Sequence, residues 1–335
     1  MDGGGRKKVI KLLQTVFLMF FIIILLTSIQ AQTRNIIISD SQEMIAKSSY
    51  IDNETVDKDE SINSLNTLLT SNNHEVEFSK EKEYTITIVT GASANHFCPI
   101  RAFIYNLKGT LQGLNIRVIV YDLGLTKVQR VEMKSLRSKG FFDELRIFKF
   151  AKYPSFWNIS NARGEYAWKP AIIAEVSRDY PGEIISWLDS GTLPERRYFE
   201  ELPTLLKAFD GFLSPRSGGF MKNWTHPGVY EYYNDDASRY DDLPNCNGAS
   251  VAFDTKMTQH IINDWYTCAL DKNCIAPIGS SRQNHRQDQA ILTYLAAREE
   301  RFCNIEKESF WIYSHQDSNC GTIIRFYEKL YNINQ

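Results

Sequence analysis

Tyr84–Thr90 reads YTITIVT, a run rich in β-branched residues with no charge, and a turn signal at Gly91–Asn95 follows it. A short apolar run of this kind suits a strand buried in a sheet, because β-branched side chains pack well on pleated backbone. Downstream the period changes. Pro99–Gln112 places Ile100, Phe103, Ile104, Leu107 and Leu111 at helical spacing. Ile116–Tyr121 (IRVIVY) is a second strand, ending at Asp122. Thr126–Lys139 reads as a helix and Leu145–Phe150 as a third strand. A helix around Pro170–Arg178 then leads into a strand at Glu183–Leu188, which ends at Asp189. Strands alternating with helices predict an α/β fold, with a mostly parallel sheet covered by helices on both faces.

Upstream, Arg6, Lys7, Lys8 and Lys11 precede an uncharged apolar stretch, Leu12–Ile29. Crossing a bilayer core takes about 20 residues of helix. Basic residues on the leading flank put the N-terminus in the cytosol and the rest in the lumen. The expected organisation is a cytosolic tail at 1–11, a transmembrane signal-anchor at 12–29 and a flexible luminal stem at 30–82. A luminal domain at 83–325 and a C-terminal tail at 326–335 follow. This is a single-pass type II protein of the Golgi or endoplasmic reticulum membrane. The alternative is a cleaved signal peptide with Val16–Leu26 as its core and Ala31 at the cut, which gives a secreted protein.

The luminal chain carries six cysteines, Cys98, Cys246, Cys268, Cys274, Cys303 and Cys320. An even number can pair fully in an oxidising compartment. Sequence proximity suggests Cys268–Cys274 and Cys303–Cys320, leaving Cys98–Cys246. No C-x-x-C occurs, which argues against structural zinc. Sequons stand at Asn53, Asn158 and Asn223. A net charge of −2 leaves no electrostatic footprint for nucleic acid.

Ligands of open α/β sheets bind beyond the carboxyl ends of the strands. Thr90, Asp122 and Asp189 sit at such ends. Val89–Ser93 (VTGAS) opens like a dinucleotide turn but lacks the further glycines of G-x-G-x-x-G, so a nicotinamide site is rejected. Asp122 lies in YDLGL, where it is either a turn carboxylate or a bond to a ribose. Asp189 lies in WLDSG, and a carboxylate leaving an apolar strand needs a partner or a metal. Lys169, in YAWKP, precedes that strand and could reach a diphosphate. Asn284–Gln289 (NHRQDQ) opens an amphipathic helix and crowds His285, Arg286 and Asp288 at its anion-favouring end. His315, in YSHQD, is a further candidate imidazole.

Together these segments resemble nucleotide-diphospho-sugar transferases of the GT-A type, most of all the glycogenin-like enzymes. Over about residues 84–320 they are also similar to a group of membrane-anchored secretory proteins with YDLGL, YAWKP, DSG and NHRxDQ signatures. The resemblance implies a Rossmann-related GT-A fold and transfer of a sugar from a nucleotide-diphosphate donor to a glycan or glycoprotein hydroxyl. It implies Asp288, Lys169 and Arg286 as the catalytic group. Thr90, Asp122, Lys169, Asp189 and Gln289 would hold the donor. Asp189, His315 and His285 would bind Mn²⁺ or Mg²⁺. The departure is Gly191, which stands where a D-x-D motif has its second acid. That departure keeps a second reading open: a non-catalytic glycan- or glycoprotein-binding module on the same fold.

Overall fold

The run that opens the domain forms β1, Ile86–Ala92, two residues longer at its carboxyl end than the sequence suggests. The computed structural model describes residues 85–331. The expected anchor at 12–29, the stem at 30–82 and the sequon at Asn53 lie outside the described residues. Among the described residues no helix is long and apolar enough to cross a membrane.

The remaining elements follow in order. They are α1 (Phe97–Thr110), β2 (Ile116–Asp122), α2 (Lys127–Ser138), β3 (Glu144–Ile147), α3 (Trp168–Asp179) and β4 (Ile184–Leu188). Next come β5 (Leu193–Pro194), α4 (Arg196–Ala208), β6 (Phe212–Leu213), β7 (Arg216–Phe220), α5 (Met221–Trp224) and α6 (Pro227–Tyr233). The domain ends with β8 (Pro244–Cys246), β9 (Ser250–Asp254), α7 (Thr255–Leu270), α8 (Lys272–Ile275), α9 (Gln287–Arg298), β10 (Ile312–Tyr313) and α10 (Cys320–Leu330). Helix α10 therefore continues into the segment expected to be a tail.

The main sheet has six strands in the order β3-β2-β1-β4-β9-β6. β1 to β4 pair in parallel, and β9 runs antiparallel to β4 and β6. The fold is mixed α/β with a mostly parallel central sheet. Side chains alternate across it, as strand period demands. Val89, Ile119, Tyr121, Ile185 and Trp187 meet α3, α7 and α9 on one face. Ile86, Ile88, Val118, Val120 and Leu188 meet α1, α2, α4 and α10 on the other. Burial on both faces explains why these strands read as continuous apolar runs. Thr126 and Gln129 form a reciprocal capping box that starts α2.

Two of the expected disulfides are corrected. Cys268–Cys274 forms, but Cys98 pairs with Cys320 and Cys246 with Cys303. The reason is tertiary. Cys320 opens α10, which packs with α1, the helix that carries Cys98. Cys246 lies in β8, held to α9 by its backbone N–H donating to Thr293 Oγ1 at 3.1 Å, and Cys303 follows that helix.

Candidate functional site

Where β4 ends, the chain turns sharply. The Asp189 N–H donates to the Ala249 carbonyl at 2.8 Å, and the Asp189 carbonyl accepts from Thr192 N–H at 2.9 Å. Trp187 and Asp189, two residues apart, share a side of the strand, and the indole N–H donates to Asp189 Oδ1 at 2.6 Å. Lys169 enters from the first turn of α3, where Pro170 has no N–H to lose. Its ammonium donates to the Gly248 carbonyl at 2.8 Å. It also stands 3.2 Å from Asp189 Oδ1 and 3.2 Å from Asp288 Oδ2. Asp288 comes from the first turn of α9, whose positive end favours a carboxylate.

Three residues singled out in the sequence are thus brought to one point: Lys169, Asp189 and Asp288. Lys169 and Asp288 are buried, while the Asp189 side chain is 42% exposed and presents the group to solvent. Burial opposes the charge on Lys169, but Asp189 and Asp288 outweigh it and hold its pKa above the usual value. Burial pushes the Asp288 carboxyl up, Lys169 pulls it down and Asp189 raises it again, leaving it raised. Asp288 Oδ2 is a buried carboxylate oxygen whose described polar neighbour is the Lys169 ammonium at 3.2 Å, and the pair is not aligned as a regular hydrogen bond. Such an oxygen costs desolvation free energy and remains able to accept from a ligand.

The other expected site residues lie elsewhere or are otherwise engaged. Thr90 is fully buried inside β1 rather than at its rim, and its hydroxyl finds no hydrogen-bond partner among the described residues. Asp122 is consumed by its own turn. Oδ1 accepts from Gly124 and Leu125 N–H at 2.9 and 2.7 Å, and Oδ2 pairs with Arg130 at 2.5 Å. The carboxylate closes the β2–α2 connection and its side chain is fully buried there, which keeps it from a ribose. Gln289 packs its stem on Gly248. Arg286 is not in the ionic group; its guanidinium lies 3.9 Å above the Trp224 ring.

The expected metal set is not assembled. His285 is buried, its Nε2 donating to the Ile275 carbonyl at 2.9 Å and its Nδ1 accepting from His226 N–H at 3.3 Å. With both nitrogens committed, it holds the loop before α9. His315 is exposed, in a loop tied to the Asp-Ser-Gly turn by Gln316 N–H donating to the Gly191 carbonyl at 2.8 Å. Among the described residues no three His, Cys, Asp or Glu side chains are grouped as metal ligands. The Lys169 ammonium stands between the Asp189 and Asp288 carboxylates.

Sequence reading missed three contributors. The Gly248 carbonyl carries no sequence signal. The Trp187 indole was legible only as W-x-D spacing on a strand. Asp317 lies over Gly191, where a side chain at that position would sit.

A family described as a protein of unknown function (DUF1647) matches residues 32–174. That span includes Lys169 and stops before Asp189 and Asp288. No curated protein matches. Solved structures with a similar fold include mouse xyloside xylosyltransferase 1, at 15% identity over 65% of this chain and 82% of that one, with a TM-score of 0.39. The mannosyltransferase Ktr4p of S. cerevisiae is 8% identical over 64% of this chain and 66% of its own, with a TM-score of 0.45. A galactosyltransferase solved with donor and acceptor sugar analogues is 16% identical over 62% of this chain and 70% of its own, with a TM-score of 0.39.

Proposed function

We propose that the chain is a glycosyltransferase that moves a sugar from a nucleoside-diphosphate donor to a hydroxyl of a glycan or glycoprotein. The observation that carries this reading is the Lys169–Asp189–Asp288 group at the carboxyl end of β4, in which one buried ammonium stands 3.2 Å from each of two carboxylates. Two carboxylates and one ammonium leave a net negative charge. Placed beside an anomeric carbon, that charge favours the positive character that develops as the nucleotide departs. Asp189, the exposed member, meets the donor sugar. Asp288, with its raised pKa, is suited to take the proton of the acceptor hydroxyl. Lys169 positions both and keeps them apart. Residues 12–29 would hold the enzyme in a Golgi or endoplasmic reticulum membrane as a type II protein. The disulfides and the exposed sequon residues Asn158 and Asn223 support an oxidising compartment.

The test is a screen of UDP-, GDP- and CMP-sugars with the purified full chain, with and without Mn²⁺ or Mg²⁺, reading donor hydrolysis and transfer. Asp288→Asn is expected to lower turnover by about 100-fold or more. Full activity in that variant sinks the mechanism. The second reading, a glycan-binding module without turnover, is favoured by Gly191, which stands where a D-x-D pattern has its second acid. It would be supported if no nucleotide sugar raises the thermal midpoint.

A further inference from the structure

Ala162, Arg163, Gly164, Glu165 and Tyr166 all have positive φ, between 43° and 65°. Consecutive left-handed residues are rare in L-amino-acid chains, which use that region one residue at a time. Gly164 makes the turn possible, since a Cβ there would collide with the Trp157 carbonyl. The turn directs Arg163 and Tyr166 toward the loop that precedes α9. There Arg163 and Arg282 both donate to the Tyr166 hydroxyl, at 2.6 and 3.0 Å. The Arg282 guanidinium lies 5.5 Å from the Tyr166 ring centre, and Arg286 stacks on Trp224.

Three guanidiniums are therefore gathered around two aromatic side chains, two over the rings and one at the Tyr166 hydroxyl. Among the described residues, none of the three forms an ion pair with a carboxylate. The nearby acid, Glu165, faces Lys272 and Gln287 instead. Like charges without counter-charge repel: burial lowers the Arg286 pKa, and Arg282 lowers it further. The cluster also shares its two segments with the ionic group. Arg163 and Tyr166 precede Lys169 on one, and Arg282 and Arg286 precede Asp288 on the other. It stands at the N-terminal end of α9, where backbone N–H groups favour an anion.

We propose that Arg163, Arg282 and Arg286 form an oxyanion site that holds the diphosphate of the donor and neutralises it with guanidiniums rather than with a protein-bound divalent ion. Guanidinium forks match phosphate oxygens in pairs, and three of them suit a multiply charged diphosphate better than a single carboxylate. The net negative charge at Lys169, Asp189 and Asp288 would then face the sugar, while the arginines face the leaving group. Identifying the anion as a donor's rests on the glycosyl-transfer reading; the anion site itself does not.

The test titrates inorganic pyrophosphate, UDP and GDP into the full chain in EDTA, with a sulfated oligosaccharide as a competing oxyanion. Pyrophosphate and both nucleotides should bind without metal, and weaken as salt is raised. The Arg163→Gln/Arg282→Gln variant, altered at two exposed positions, should lose about tenfold or more in affinity. Tyr166→Phe should lose less, because it only loosens the two arginines. No metal-free pyrophosphate binding, or binding indifferent to the arginines, overturns the site. So does a double variant that loses the sulfated oligosaccharide and keeps the nucleotides. Nucleotide-sugar turnover with arginine-independent pyrophosphate binding removes this site and leaves the transferase reading. Arginine-dependent pyrophosphate binding with no turnover does the reverse.

Discussion

The Asp317 carboxylate lies over the α-carbon of Gly191, so that a Cβ built on the glycine would stand 2.8 Å from Asp317 Cγ. The acid missing from the Asp-Ser-Gly turn is thus replaced in space by one from the segment before α10. Gly191→Asp would restore a D-x-D pattern on paper, yet it drives one carboxylate into another. The expected cost is about 1–2 kcal/mol. Asp317→Ala in the same chain should restore most of it, because the two positions are coupled. Thermal midpoints of the two single variants and the double variant check this. Additive losses would contradict it.

Lys169 is the sole described cation within ion-pair reach of the buried Asp288. Lys169→Met should therefore cost roughly 3–5 kcal/mol, the penalty of leaving a buried charge without its partner. Adding Asp288→Asn should recover a large part, since Asp189 can still reach solvent. Urea midpoints followed by tryptophan fluorescence give the comparison. If the double variant is no more stable than Lys169→Met, the pairing is not what stabilises the group.

His285 adds an acid-sensitive element. Burial lowers its pKa from 6.5 to about 4. Between those values the unfolded chain binds a proton that the folded chain excludes, so stability is complete above pH 6.5 and falls with acidification. The loss is on the order of 3 kcal/mol by pH 4. His285→Asn should flatten stability over this window relative to the parent. An unchanged slope would show that other groups control it.

The bridges Cys98–Cys320 and Cys246–Cys303 are checked by mass mapping of a non-reduced digest. Cys98→Ser/Cys320→Ser should destabilise the domain by about 2–5 kcal/mol. Its first effect is expected at α10, read as faster amide exchange over residues 320–330.

The alternation of strands and helices was legible because burial on both faces makes each strand an apolar run. Lys169, Asp189 and Asp288 were legible because each stands at the end or first turn of an element, where a polar residue after or before an apolar stretch is conspicuous. Asp122 has the same sequence signature, and only its turn geometry shows that its oxygens are spent locally. His285 failed for a similar reason, since a histidine among polar residues gives no hint that both nitrogens are committed to backbone. The left-handed turn at Ala162–Tyr166 was invisible: apart from Gly164, none of its residues prefers positive φ. The cysteine partners were hidden because contact between α1 and α10 is a property of the finished sheet, and spacing along the chain does not report it.

That contact also orders events during synthesis. Cys98 and Cys320 are separated by 222 residues, so the bridge between them cannot close until nearly the whole described domain has been made. Cys246 and Cys303 meet earlier, and Cys268 and Cys274 earlier still in the spacing sense, being 6 residues apart. Through most of translation Cys98 is therefore a thiol waiting for a partner, with the others within reach of it. A chain truncated before residue 320 keeps an odd cysteine, open to mispairing with itself or with a second copy. The last bridge to form thus reports that the described domain has been made as far as α10.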